Sequence, residues 1–289
     1  MEKHLLVTIS DDLSALHGVR FVGSFFENKG KIHLTLLYVS HGLDAAHREG
    51  SLEDRRLNAR LADAQAGKGR VALDASRKIL VDKGFPYENI KTKLVGKRIG
   101  TAKDIVHEGR AGLYDAVVLG RRGYTLFETA FATSVTRELM DLRIDFPVWI
   151  CRLPEERRKN VLLCVMDTEA CMRMADHVGF ILGSEGTTHS VTLLHVDTGE
   201  VKGIETMMER TAQCLKDNGV GEERITRRVV RTPRVVRAIL EEMEKGSYAA
   251  VGVGRGGGQS QGLFQKWLGG SVSMNLLETL EKAALWVSK

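Results

Sequence analysis

Short apolar runs recur along the chain, separated by longer stretches with a helical period. Leu6-Val7-Thr8-Ile9-Ser10-Asp11, Leu34-Thr35-Leu36-Leu37-Tyr38-Val39 and Ala116-Val117-Val118-Leu119-Gly120 are almost continuously apolar and rich in β-branched residues. Runs of this kind suit strands of a parallel sheet covered on both faces. Between them, helix-period stretches such as Val71 to Lys83 and Ile204 to Asp217 supply right-handed crossovers. Thr232-Pro233 predicts a helix start, with Thr as N-cap and Pro at the first helical position.

The runs repeat. Leu162-Leu163-Cys164-Val165-Met166-Asp167 matches the first run, an apolar stretch ending in an acid, and Val191-Thr192-Leu193-Leu194-His195-Val196 matches the second. Tyr248 to Gly254 matches Asp115 to Gly120 with one slip, and Leu126-Phe127 with Ser134-Val135 matches Leu263-Phe264 with Ser271-Val272. Four blocks in one order indicate a duplicated domain. The halves meet near the charged stretch Pro154 to Lys159, giving domains 1–155 and 156–289. Each half reads strand, helix, strand, long helix, strand, helix, strand, helix, strand. The expected class is α/β, two tandem doubly wound parallel-sheet sandwiches of Rossmann-like form. Ligands of such folds bind outside the carboxyl ends of the strands.

Composition narrows the partners. The 289 residues are 43% hydrophobic and 27% charged, which excludes a disordered chain. Forty-two Lys+Arg against 37 Asp+Glu leave a net charge of +5, a mild excess that suits anionic small molecules as well as nucleic acid. Only 6% of residues are aromatic, too few for the stacking platforms of single-strand binders, so nucleic acid is disfavoured. Cys151, Cys164, Cys171 and Cys214 form no C-x-x-C pair, and Cys151 and Cys164 sit in apolar runs, as small core residues do. No signal-peptide layout opens the sequence and no long uncharged apolar stretch occurs, so the expectation is a soluble, cytoplasmic protein without a membrane segment.

Candidate chemistry gathers after the fourth strand of each half. In the second half Gly254-Arg255-Gly256-Gly257 is followed, after a loop, by Gly269-Gly270-Ser271 opening a helix. Glycines let backbone approach an anion closely, and the free N–H groups of a helix start offer donors to phosphate oxygens. Two neighbouring patterns are decoys. Gly252 to Gly257 fits G-x-G-x-x-G, but the next helix starts only near Gly270 and not directly after the strand. Gly258 to Gly262 fits G-x-S-x-G, yet Ser260 lies past the strand end and no His or Asp follows it. The histidines show neither H-E-x-x-H nor Cys/His ligand spacing, which argues against zinc, and the chain carries no G-x-x-x-x-G-K-(S/T) loop. No catalytic residue and no metal ligand is assigned.

An acid closing the first strand, an LLHV-like second strand, and glycines leading to Gly/Ser after the fourth resemble the universal stress protein family, in a tandem arrangement covering both halves. The resemblance implies an adenine nucleotide alpha hydrolase-like fold with ATP, ADP or AMP lying across the carboxyl edge of the sheet. It implies the strand-one Asp at the ribose, the strand-two Val backbone at the adenine and the glycine motif at the phosphates. In the second half these are Asp167, Val196, Gly254, Gly257, Gly270 and Ser271; in the first, Asp11, Val39, Gly120, Gly123 and Ser134. Neither half fits perfectly. The first places Thr133 where the pattern has Gly, and a β-branched residue resists positive φ and crowds a phosphate. The second keeps Gly270-Ser271 but separates Gly257 from Gly270 by twelve residues instead of nine. A loop can bulge outward; a misplaced Cβ cannot be avoided. The second half is therefore the favoured site.

Basic residues flank both sites: Arg224, Arg227, Arg228, Arg231, Arg234 and Arg237 in the second half, Lys91, Lys93, Lys97 and Arg98 in the first. They form either a solvated face or, as with Arg231, an extension toward a polyphosphate. The resemblance further implies pairing of the two halves as an internal pseudo-dimer through the fifth strands, Phe146 to Cys151 and Ala284 to Ser288, with a further homodimer and an unidentified protein partner left open. The expected role is regulatory, a stress response read through ligand-dependent conformation. Slow ATP hydrolysis at the same site, with magnesium, and a nucleotide-free interaction module are the alternatives.

Overall fold

The structure, a computed structural model, describes residues 1–12, 16–40, 52–120, 132–142, 144–199, 201–255 and 271–288. Its contacts group into two compact units, Glu2–Gly23 with Lys29–Phe146, and Pro147–Lys289 with Ser24–Asn28 and Met1. Both are α/β, as the alternation of apolar runs and helical stretches requires.

The N-terminal unit contains β1 (Lys3–Thr8), α1 (His17–Phe25) except its last two residues, β2 (Ile32–Ser40), α2 (Leu52–Asp82), β3 (Ile90–Gly96), α3 (Thr101–Ala111), β4 (Ala116–Gly120) and α4 (Ala132–Asp141). Its strands lie in the order β3-β2-β1-β4, all parallel, with Leu5 opposite both Leu34 and Ala116. The C-terminal unit contains β5 (Val148–Cys151), β6 (Val161–Cys164), α5 (Glu169–Leu182), β7 (Val191–Asp197), α6 (Ile204–Asp217), β8 (Ile225–Arg231), α7 (Val235–Gly246), β9 (Ala250–Gly254), α8 (Ser271–Thr279) and β10 (Ala284–Ser288). Here the order is β5-β10-β9-β6-β7-β8, parallel except where β10 meets β5. Both of these strands were expected at a pairing edge. They run antiparallel with Trp286 opposite Trp149.

Burial follows strand position. Every residue of β6, β7, β9 and β10 is buried, whereas β3 and β8 expose three or more consecutive residues. These two strands end their rows, and they carry Lys91 and Lys93, Arg227 and Arg228. Charge on an edge strand opposes pairing with a further chain.

The duplication is visible in devices that do not depend on the glycine motif. Helices α2 and α6 both end on a glycine of positive φ, Gly84 at +94° and Gly219 at +93°. In each, the glycine N–H reaches back to Val81 or Lys216, and the next N–H reaches Leu80 or Leu215, the paired bonds of a Schellman stop. A half-buried polar network also recurs. In the N-terminal unit the Lys93 ammonium lies 2.7 Å from Glu108, whose carboxylate accepts from Tyr114 at 3.1 Å. In the C-terminal unit Arg228 pairs with Glu242, and the Tyr248 hydroxyl contacts Glu242 at 3.3 Å and Thr192 at 2.9 Å.

The C-terminal unit incorporates Ser24–Asn28 by polar bonds. The Lys159 ammonium donates to the Ser24 and Phe25 carbonyls, and His189 Nε2 donates to the Phe25 carbonyl at 2.8 Å. The Glu27 and Asn28 N–H groups donate to Glu185 at 2.9 and 3.2 Å. Phe25 then sits in an aromatic cluster in which Trp149 and Trp286 stack at 4.1 Å. Trp149 Nε1 donates to His177 Nε2 at 2.9 Å, and burial pushes the His177 imidazole down to about 3.

Candidate functional site

In the C-terminal unit the carboxyl ends of β6, β7 and β9 face one edge. Val165 N–H extends the ladder to Leu194, after which the chain leaves the sheet through Met166 and Asp167 and enters α5 at Thr168. Thr168 is the N-cap, its Oγ accepting from Cys171 N–H at 3.2 Å. Asp167 is thus held at the strand end with its carboxylate outward, in an ion pair of 2.6 Å with Arg210 of α6. Both partners are more than half exposed, and such a pair contributes about 0–1 kcal/mol.

Val196 is buried as the penultimate residue of β7. His195 before it has a fully buried ring whose Nδ1 donates to the Val165 carbonyl at 3.0 Å, tying β7 to the end of β6. Gly254 closes β9 and is also buried. A Cβ there would stand 2.3 Å from the Cys171 nitrogen and 2.4 Å from the Ala170 carbonyl carbon. Its missing side chain therefore lets the first turn of α5 close on the strand end. Gly254 also borders a crevice of about 20 Å³ lined by Cys164, Cys171, Ile239, Val253, Val272 and Ser273. The end of β9 and the first turn of α8 meet at this crevice, which holds no more than a water molecule. Ser271 is the first residue of α8; Gly257 and Gly270 lie outside the described residues.

The counterparts in the N-terminal unit occupy matching positions. Asp11 is exposed beyond β1, while Val39 and Gly120 are half-buried near the ends of β2 and β4. Gly18 of α1 approaches Gly120, its would-be Cβ 3.3 Å from the Gly120 nitrogen. Ser134 falls in the first turn of α4, and Gly123 lies outside the described residues.

The structure adds Asp197, which sequence reasoning passed over. It ends β7 beside Val196, almost wholly buried, and accepts from Gly199 N–H at 2.7 Å and from Arg231 at 2.9 Å. The Gly199 amide, then the Arg231 guanidinium, hold its carboxyl below the usual range. The signal was present in the sequence, an acid closing an apolar strand as Asp167 closes β6. Most of the basic cluster proves to be engaged within the unit. Arg224 donates to the carbonyls of His189 and Leu182, Arg227 pairs with Glu222 and Glu209, Arg228 with Glu242, Arg231 with Asp197 and Arg237 with Glu241.

All four cysteines are free, with burial raising the thiols of Cys151, Cys164 and Cys171. Among the described residues no group of three or more His, Cys, Asp or Glu is placed to hold a metal ion, and no helix is long and apolar enough to cross a membrane.

No protein-family model matches the sequence, and no curated protein does. Solved structures do match. A universal stress protein from Archaeoglobus fulgidus aligns over 99% of this chain and 98% of its own at a TM-score of 0.69 and 15% identity. A universal stress protein assigned as putative, from Pseudomonas aeruginosa, aligns over 100% of this chain and 93% of its own, with a TM-score of 0.53 and 16% identity. A functionally unknown protein from the same species aligns over 100% and 92%, at 0.51 and 16%. The chain has the fold of tandem universal stress proteins along its whole length.

Proposed function

We propose that this chain is a regulatory protein that binds an adenine nucleotide at the carboxyl edge of its second repeat, residues 156–289. The observation that carries the reading is the convergence of the β9 end at Gly254 with the start of α8 on one crevice. A helix start there offers N–H donors and the positive end of a dipole to a phosphate group. Asp167, outward at the end of β6, is an acceptor suited to ribose hydroxyls, and the Val196 backbone supplies amide groups at an apolar strand end. Because the crevice has only about 20 Å³, base and ribose would lie outside it. The Asp167, Val196, Gly254, Gly257, Gly270 and Ser271 set is favoured over Asp11, Val39, Gly120, Gly123 and Ser134. Thr133 sets a Cβ where the second repeat has Gly270. Four free thiols fit a reducing, cytoplasmic setting.

Mass spectrometry of the purified native protein, followed by thermal unfolding with and without ATP, tests the reading. A co-purified adenine nucleotide, and added stability of about 2.7 kcal/mol at one hundred times Kd, are expected. An empty protein whose unfolding ignores ATP would favour the nucleotide-free interaction module instead.

A further inference from the structure

Most of the basic cluster of the second repeat is paired within its unit, Arg234 excepted, whereas less of the first repeat's is. In the C-terminal unit Arg227, Arg228, Arg231 and Arg237 are matched by acids of the same unit. In the N-terminal unit Lys93 is matched by Glu108, but Lys97, Arg98 and Lys103 have no acid within ion-pair distance among the described residues. All three are exposed. Lys97 and Arg98 directly precede Ile99, which is 71% exposed, and Lys103 follows it in the first turn of α3.

The loop that carries them is fixed from beneath. The buried Asp104 carboxylate accepts from three consecutive amides, Arg98 N–H at 2.9 Å, Ile99 N–H at 3.2 Å and Gly100 N–H at 3.4 Å. Asp104 N–H in turn donates to the Gly100 carbonyl at 2.8 Å. The amides of the three residues before α3 are thereby satisfied by the protein's own anion, and the exposed side chains of Lys97, Arg98, Ile99 and Lys103 are left to act outward. A backbone ordered in advance lowers the entropy a partner must overcome. An isolated exposed isoleucine means little by itself. Held still beside three cations that no acid among the described residues pairs with, it forms an anchor with a charged rim.

We propose that the Lys97–Gly100 loop with Lys103 is a docking surface for an acidic segment of a partner protein that presents an apolar side chain to Ile99. Charge complementarity selects the acidic partner, steering it and setting its register. A nucleic acid would gain from an aromatic stacking platform, and the loop's own residues include none. A membrane surface would require a wider apolar face than one isoleucine. The surface belongs to the N-terminal unit and does not rest on nucleotide binding.

The test uses the full chain and a fluorescein-labelled peptide of alternating Asp and Leu, with fluorescence anisotropy read with and without ATP. Binding should weaken roughly tenfold or more in the Lys97→Glu/Arg98→Glu double variant. Ile99→Ser should weaken it severalfold without changing its salt dependence, and Lys245→Glu, a charge change of the same sign on α7, should leave it unaltered. ATP should make no difference. Absent peptide binding, or binding indifferent to the Lys97/Arg98 change, overturns the proposal. So does displacement of the peptide by single-stranded DNA or anionic vesicles with Ile99→Ser silent, because that pattern describes a general polyanion surface.

Discussion

At the scale of single residues, glycines here act by what they let in. Gly18 lies seven residues after Asp11, and its would-be Cβ meets Val118 Cγ1 at 3.3 Å. At the equivalent place in the second repeat the helix carries Met174 and the strand carries Gly252, whose would-be Cβ meets Met174 Cγ at 3.3 Å. Large and small have changed places across one helix–strand contact. Gly252→Ala should therefore cost about 1–3 kcal/mol in denaturant unfolding. Its effect and that of Met174→Ala should be non-additive by at least about 0.5 kcal/mol, since the shorter side chain makes room. Gly254→Ala faces backbone at 2.3 Å and has no such relief, so it should lower stability more than Gly252→Ala does. His177 gives a pH test. Its folded value near 3 lies below the ordinary 6.5, so its contribution to stability is complete above pH 6.5 and shrinks as pH falls toward 3. Between pH 7 and pH 5 the loss from this group should be about 2 kcal/mol. His177→Gln keeps an acceptor for Trp149 and should flatten that part of the profile, leaving the smaller shares of His4 and His189, which burial also lowers.

At the scale of elements, much of the architecture was legible in the sequence. Strands such as Val191–Asp197 are apolar throughout because both their faces are covered, and that pattern has few alternative readings. The crossovers could be read for the same reason. The place of Ser24–Asn28 could not. Nothing in the pattern of those residues says which carbonyls Lys159 and His189 will reach, because the bonds join positions more than a hundred residues apart. The basic cluster was ambiguous on similar grounds. Arg228 and Glu242 are separated by a strand end and most of a helix, and only the fold brings them together. Glu185→Gln tests how Ser24–Asn28 is held. It weakens a carboxylate that accepts two amides and should cost about 1–3 kcal/mol, read as a lower denaturant midpoint at unchanged slope.

At the scale of the whole molecule, the chain is a duplication whose copies have diverged at their carboxyl edges. The two Schellman stops and the two Tyr–Glu–cation networks are kept in both repeats. The edges differ: Asp197 and Arg231 pair at the second, where the corresponding strand of the first ends in Ser40. The residue types at these edges were legible in the sequence. The crevice joining β9 to α8 was not, since its size depends on how closely α5 approaches Gly254. Divergence of this kind predicts unequal ligand use by the repeats. Isothermal titration of the nucleotide-free chain with ATP, alongside Gly270→Val and Gly123→Val, measures that inequality directly. One nucleotide per chain is expected, lost in Gly270→Val and retained in Gly123→Val. Binding that survives Gly270→Val and disappears in Gly123→Val would contradict it.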